Sequence, residues 1–301
     1  MFKVRKKYID RRYNLYINTL SNFVFFLILL SAVSHVSWNI LIKRSNNKII
    51  FTRALTLVGS VLLIPVTFFL DPLPTAAYPY FAGTLIIHVL YKLFLCSMHE
   101  RSDLSYAYPV ARGLPSLIIL FATPFIFNEE LTLQNELAVL SICFGILLLV
   151  FANQKFKEIN FAGLGFAVLV ALTIAAYTIN DAKGVRISEP LTYLTYYFAL
   201  DGIVFNLAFM IFFRKEKFDL SIVKQEIKPI IGAGILSLYS YYPAVYAFTL
   251  TKVATVAALR ECSILLASLY GVFVLKEKLG TIRIISAIFI FAGSLMIKLY
   301  S

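Results

Sequence analysis

Two arginines stand in stretches that are otherwise apolar, aromatic or small: Arg112 in AYPVARGLPS and Arg260 in VAALRECSIL. A guanidinium stays charged at any physiological pH, and its planar fork takes a carboxylate or phosphate bidentately, which lysine cannot copy. Few other ionisable groups share such surroundings: Lys92, Asp181, Asp201 and Glu261, with His35 and His88 added when protonated. The chemistry this set suits is capture of a small anion or zwitterion, with Asp201, Glu261, Lys92 and Asp181 as coupling groups or counter-ions. Asp201 has no lysine or arginine beside it in sequence, which would suit a proton carrier; a counter-ion to Lys92 or to an arginine is the other reading. For the arginines the other reading is permanent pairing with Asp201, Glu261 or a backbone carbonyl. Pro109 and Pro115 bracket Arg112, and each removes a donor and frees a carbonyl that the arginine could satisfy.

The elements that must hold these residues are membrane spans. Of the 301 residues 60% are hydrophobic and only 15% charged, against roughly 25% charged in a soluble domain. Ten apolar runs, at about 21–42, 50–70, 78–98, 104–127, 135–153, 161–181, 191–213, 229–250, 253–275 and 281–299, each come near the ~20 residues that a helix needs to cross a bilayer. The connections are short, the longest being the charged segment from Arg214 to Lys228, so the runs form one membrane domain. The first run is longer than a signal-peptide core and lacks a small-x-small cleavage site, so a retained helix is expected. A charge at the centre of such a span costs about 3 kcal/mol, so the short list of ionisable groups must be compensated.

Two of the spans carry polar stripes at helical spacing. Ser31, His35, Trp38, Asn39 and Ile42 line one face of the first, and Thr173, Tyr177, Asn180 and Gly184 one face of the sixth. One stripe could be packing glue between helices; two in corresponding spans favour a shared cavity wall. Tyr108 beside Arg112 and Tyr242 beside Pro243 are further candidates for contacting a ligand through their hydroxyls, with Tyr239, Tyr246, Tyr196 and Tyr197 nearby. Tyr193, near a span end, is read as an interfacial belt residue. The expected substrate-binding set is thus Arg112, Arg260, Tyr108, His35, Trp38, Asn39, Tyr177, Asn180 and Tyr242.

Shifting the chain by 148 residues lays Arg112 on Arg260, Asn128-Glu129-Glu130-Leu131 on Lys276-Glu277-Lys278-Leu279, and Gly145 on Gly293. Two halves of five spans follow, and because five is odd the second must thread the bilayer upside down, as in many secondary transporters. At 1.5 Å per residue the two arginines lie about 10 to 12 Å deep from opposite faces, so a pseudo-two-fold axis brings both toward the midplane. Glu129, Glu130 and Glu277 sit at span boundaries, where an acid near a helix N-terminus gains dipole energy, and are read as structural.

The pieces HVSWNILIKRS (from His35), LSYAYPVARG (from Leu104), LTIAAYTINDAKGVR (from Leu172) and VATVAALRECSILLASLYGVFVLKEKLG (from Val253) resemble the EamA-type members of the drug/metabolite transporter superfamily, over residues from about 21 to the end. The resemblance implies ten helices in two inverted five-helix repeats around a central cavity, cytoplasmic termini, and export or exchange of small metabolites. It leaves the metabolite open, since the superfamily handles amino acids, sugar phosphates, nucleotide sugars and amphipathic amines.

The expected organisation is a basic tail over 1–20, a first repeat over 21–153 and an inverted second repeat over 154–301, in an all-α integral membrane protein. The expected place is a bacterial inner membrane. The basic tail, with Lys3, Arg5, Lys6, Lys7, Arg11 and Arg12, puts the N-terminus in the cytoplasm, although Lys43, Arg44, Lys48 and Arg53 on the other side argue against it. The net charge of +12 meets anionic lipid rather than nucleic acid. Cys96, Cys143 and Cys262 fall within spans without metal-ligand spacing, so neither a disulfide framework nor a metal site is expected, and no cofactor.

No phosphate-binding glycine-rich loop occurs, which excludes ATP-driven pumping as far as motifs allow. No H-E-x-x-H or G-x-S-x-G occurs either, so an intramembrane enzyme is not expected. The expected function is a secondary transporter of a small anionic or zwitterionic metabolite, such as an amino acid, working by alternating access. Its energy source would be a proton gradient or a counter-substrate, and both monomer and dimer are compatible. A flippase for a lipid-linked sugar or amphiphile is the neighbouring alternative; a non-transporting scaffold would leave the duplicated arginines unexplained.

Overall fold

Where apolar runs begin, the chain supplies a side-chain oxygen to receive the helix's first free amides. Ser21 accepts from Val24, Asn47 from Ile49 and Ile50, Thr132 from Asn135, Asn160 from Ala162 and Gly163, Glu189 from Thr192, and Asp219 from Ser221. Pro79, in a further helical run, and Pro190, in the run that Glu189 caps, occupy first-turn positions whose missing N–H leaves no bond unmade.

The computed structural model describes residues 21–102, 104–149, 160–213, 218–266 and 280–300, with backbone alone at 99, 100, 104–106 and 108. The elements are α1 (Asn22–Arg44), α2 (Lys48–Thr67), α3 (Tyr78–Arg101), α4 (Leu104–Phe127), α5 (Leu133–Leu148), α6 (Phe161–Ile187), α7 (Pro190–Phe212), the short α8 (Leu220–Gln225), α9 (Ile227–Ala247), α10 (Val253–Arg260) and α11 (Thr281–Tyr300). Among the described residues there is no strand. Among the described residues, seven helices are long and apolar enough to cross a membrane: α1, α2, α3, α4, α6, α7 and α11. Of the other expected spans, the fifth is a 16-residue apolar helix, the eighth is the 21-residue α9, and the ninth is described only to residue 266. The tail over 1–20 lies outside the described residues.

The outer surface is apolar and the interior holds the polar groups. Phe23, Phe26, Leu30 and Val33 on α1, and Ile288, Phe291, Leu295 and Leu299 on α11, are exposed, whereas Arg53, Arg112, Asp181, Asp201 and Glu261 are buried. Bands of exposed large apolar side chains of this kind fit a lipid environment.

Four pairings dominate the packing: α1 with α9, α2 with α7, α3 with α6, and α5 with α11. The last is a close crossing on glycines. A methyl at Gly145 would lie 2.7 Å from the Ser286 carbonyl oxygen, and one at Gly293 would lie 2.5 Å from that of Ala138. Ser141 donates to the Phe289 carbonyl across the same seam at 2.9 Å. Small residues that let backbones approach are how helices associate where lipid removes the hydrophobic drive.

Two sequence expectations shift here. The sixth helix runs on to Ile187, so Asp181 stands well inside it and is fully buried. Arg53, counted above among charges outside the membrane, is buried in α2, with Nε donating to Asn206 at 3.0 Å and its guanidinium over the rings of Phe209 and Phe218. It therefore does not count as a loop charge in setting orientation.

Candidate functional site

The proline-bearing helix α4, with Pro109, Pro115 and Pro124 in its body, carries Arg112 into the interior. There Arg112 Nη2 lies 2.9 Å from Glu261 Oε1, and both side chains are buried. Glu261 is the residue at which α10 ends. Its amide donates to the Ala258 carbonyl at 3.0 Å, and the Ile264 amide to its own carbonyl at 2.9 Å. Both bonds span three residues, so the helix tightens at this point rather than continuing with α geometry.

A regular helix would turn Arg260 and Glu261 about 100° apart. Here both act on one place: the charges of Arg112 and Arg260 bear on His35, and those of Arg112, Arg260, Glu261 and Asp181 all bear on Tyr177. The Arg260 guanidinium sits over the Tyr241 ring, 5.5 Å from its centroid. Among the described residues it has no hydrogen-bond or ion-pair partner. The second oxygen of Glu261, Oε2, is buried and has no hydrogen-bond partner among them either.

Next to this lies a buried polar network drawn from α3, α6, α7 and α9. Asp181 accepts from the Thr84 and Tyr241 hydroxyls, one on each oxygen, and its Oδ2 is 3.0 Å from His88 Nε2. Tyr193 joins through Thr84 at 2.6 Å, and Asn180 Nδ2 donates to Thr84 Oγ1 at 2.9 Å. Aromatic rings enclose His88: Tyr177 is stacked on it at 4.1 Å between centroids, with Tyr197 at 4.7 Å and Tyr241 at 5.4 Å. Tyr193, expected at the interface, is fully buried instead, because its hydroxyl is used inside.

Lys92 and Asp201 form a second buried ion pair, joining α3 to α7, with the ammonium also near the faces of Phe205 and Tyr197. The polar stripe of α1 is divided. Ser31 donates to the Ser240 carbonyl at 2.5 Å and His35 Nδ1 is 3.2 Å from Ser240 Oγ, so these two meet α9. Asn39 donates back to the His35 carbonyl of its own helix at 2.7 Å. Trp38 packs toward Phe51, Leu55 and Ile230, with its Nε1 lacking a hydrogen-bond partner among the described residues.

On the sixth helix, Asn180 also donates to the Tyr80 carbonyl at 2.7 Å, fastening α6 to α3. Tyr242 pairs its hydroxyl with Thr195 at 2.8 Å and stacks on Phe198, on the side of α9 toward α7. The side chain of Tyr108 lies outside those described. The structure thus gathers Arg112, Arg260, Glu261, His35 and Tyr177 around one centre, with Asp181 in the network beside it. It leaves Trp38, Asn39, Tyr242, Lys92 and Asp201 in separate contacts.

The boundary acid Glu129 does meet a helix N-terminus, that of α10 and not that of the helix following it in sequence. Its Oε2 accepts from the Val253 amide at 2.9 Å while Oε1 takes Arg186 Nη2 at 2.5 Å. Arg186 Nε in turn donates to the Phe248 carbonyl at 3.0 Å. Glu130 is exposed, and Glu277 lies outside the described residues.

Sequence reading passed over Tyr241 and Thr84. Tyr241 had a signal: Ile230, Gly234, Leu238, Tyr241 and Val245 recur at helical spacing and form the inward stripe of α9. Thr84 had none beyond sitting four residues before His88.

The sequence profile described as the EamA-like transporter family matches residues 161–299. No curated protein matches the chain in sequence. In three dimensions a protein crystal structure superposes with a TM-score of 0.72 at 17% identity, covering 92% of this chain and 95% of that one. At that identity the likeness is one of fold.

Proposed function

We propose that this chain, an integral multi-pass membrane protein whose residues 161–299 match the EamA-like transporter family, is an EamA-type member of the drug/metabolite transporter superfamily and a secondary transporter of a small metabolite bearing a carboxylate. The observation that carries this reading is Arg260: its guanidinium lies over the Tyr241 ring face and has no hydrogen-bond or ion-pair partner among the described residues. A permanent charge held there without a direct ion pair can take a further partner from outside the protein. An incoming carboxylate is such a partner and binds bidentately.

Glu261 Oε2, buried and lacking a donor, offers an acceptor close by for an ammonium group. Together they favour a zwitterion such as an amino acid. Arg112 is the structural partner that holds Glu261 in place, rather than a second anion clamp.

The alternating-access mechanism draws on a pseudo-two-fold relation between the halves. Exchanging the first five expected spans for the second five maps the α1–α9 pairing onto α3–α6 and maps α2–α7 and α5–α11 onto themselves. The α5–α11 seam agrees residue by residue: Gly145 against Ser286 and Gly293 against Ala138 are the same contact displaced by 148. This supports ten spans as two inverted repeats, with the arginine site between them.

The test is flux into proteoliposomes of a labelled L-amino-acid mixture. Wild type should accumulate label; Arg260→Ala should reduce uptake at least 100-fold while remaining folded, and Arg260→Lys should recover less than a tenth of the rate, since a point charge replaces a fork. Full flux in Arg260→Ala would overturn the reading.

A further inference from the structure

Helix α3 places His88, and α6 places Asp181, in a hydrogen-bonded pair that is sealed from solvent and plays no part in the anion site just proposed. A buried acid tied to a histidine in a membrane interior is costly, and its retention calls for a use. The pair has two accessible charge states. With imidazolium beside carboxylate it is neutral overall, and with one proton fewer it carries a single negative charge.

What distinguishes this pair from the Lys92–Asp201 pair is its connection. The Tyr241 hydroxyl donates to Asp181 Oδ2 and stands 3.3 Å from His88 Nε2. The ring of the same tyrosine lies beneath the Arg260 guanidinium. One rigid side chain therefore touches the pair at one end and the unpaired cation at the other.

We propose that the His88–Asp181 pair, bridged by the Tyr241 hydroxyl, is the binding site of a co-transported proton and that Tyr241 links its charge state to substrate at Arg260. This rests on the transport reading above. The charged and titratable groups around the pair come from every neighbouring helix: Tyr91 and Lys92 on α3, Tyr177 on α6, and Tyr193, Tyr197 and Asp201 on α7. Tyr241 on α9, Arg112 on α4, and Arg260 and Glu261 on α10 complete the set.

Lys92 and Asp201 cancel each other, as do Arg112 and Glu261. Arg260 is then the one uncancelled charge facing the pair among the described residues. While Arg260 is bare, it favours the negative, deprotonated pair. A carboxylate arriving on Arg260 removes that field, so the pair takes up a proton from water as the substrate binds. Linkage makes the effect reciprocal: the proton raises the affinity for the carboxylate. The loaded carrier then crosses with proton and substrate together.

The experiment uses the full chain in proteoliposomes and compares two modes with the labelled L-amino-acid mixture: uptake driven by an inward proton gradient, and exchange of labelled for unlabelled substrate at equal pH. Wild type should show gradient-driven accumulation together with proton entry, read by a trapped pH dye. Asp181→Asn should keep exchange and lose the gradient-driven component together with proton entry. Tyr241→Phe, which keeps the ring but not the hydroxyl, should reduce the gradient-driven component about fivefold to tenfold, as one lost buried hydrogen bond implies. His88→Gln serves as a second route should Asp181→Asn fail to fold.

Accumulation by wild type that ignores the proton gradient overturns this proposal and leaves the transport reading standing. No movement of label in either mode overturns the transport reading. In that case, infrared difference spectra of purified protein across a pH step still decide proton uptake: carboxyl and imidazole bands that persist unchanged in Asp181→Asn and His88→Gln overturn the proton site as well.

Discussion

Arg112 and Glu261 are joined at 2.9 Å across the interior, so the arginine of the first half is held by the acid that follows the matching arginine of the second. In the function proposed above, the duplicated arginines take different parts: one is neutralised, and the other receives the ligand.

Removing one member of that pair leaves the other buried and uncompensated. Arg112→Leu or Glu261→Leu alone should destabilise by about 3 to 5 kcal/mol, whereas the double variant should regain most of the loss, because two apolar groups need no counter-charge. Thermal unfolding in detergent across the double-mutant cycle measures this. Additive losses would mean that the two side chains are not coupled.

The same logic separates Asp201 from proton coupling. Its contact with Lys92 makes Asp201→Asn a stability defect, to be relieved by adding Lys92→Met, with the proton-gradient dependence of flux unchanged. Loss of that dependence in the double variant would return Asp201 to the coupling role that its isolation in sequence suggested.

The glycine crossing should tolerate no side chain. Gly145→Ala and Gly293→Ala each press a methyl against a backbone carbonyl of the partner helix, costing about 1 to 3 kcal/mol. Gly165, which has open space where a methyl would stand, should accept alanine within about 0.5 kcal/mol. Thermal stability of the three variants in the same detergent provides the comparison; equal behaviour would place the α5–α11 approach in error.

The elements were legible because they follow from composition. Apolar runs bounded by Ser, Asn, Thr and Asp caps give helices wherever lipid replaces water, and the described helices start within a few residues of the expected spans. The ionisable groups were legible too, since each interrupts an apolar run. Their partners were not. Thr84, His88, Asp181 and Tyr241 come from three helices and more than 150 positions of chain, and nothing local states that they meet. Glu129 shows the same limit: its chemistry, an acid at a helix N-terminus, could be read, but the helix it caps begins 124 residues later. The tightening at Glu261, which turns two adjacent charges toward one centre, has no signature in LRECS beyond the residues themselves.

The pairing of α1 with α9 has a consequence for how the protein is made. Ser31 and Ser240 are separated by 209 residues, which at the usual pace of a ribosome is roughly 10 to 40 s of synthesis. Through that interval the newborn first helix sits in the bilayer with Ser31 and His35 uncovered, and its lasting neighbour has yet to be translated. A chaperoning insertase or a provisional helix partner must shelter that face, and truncations ending before Ile227 should be the ones that cellular quality control removes.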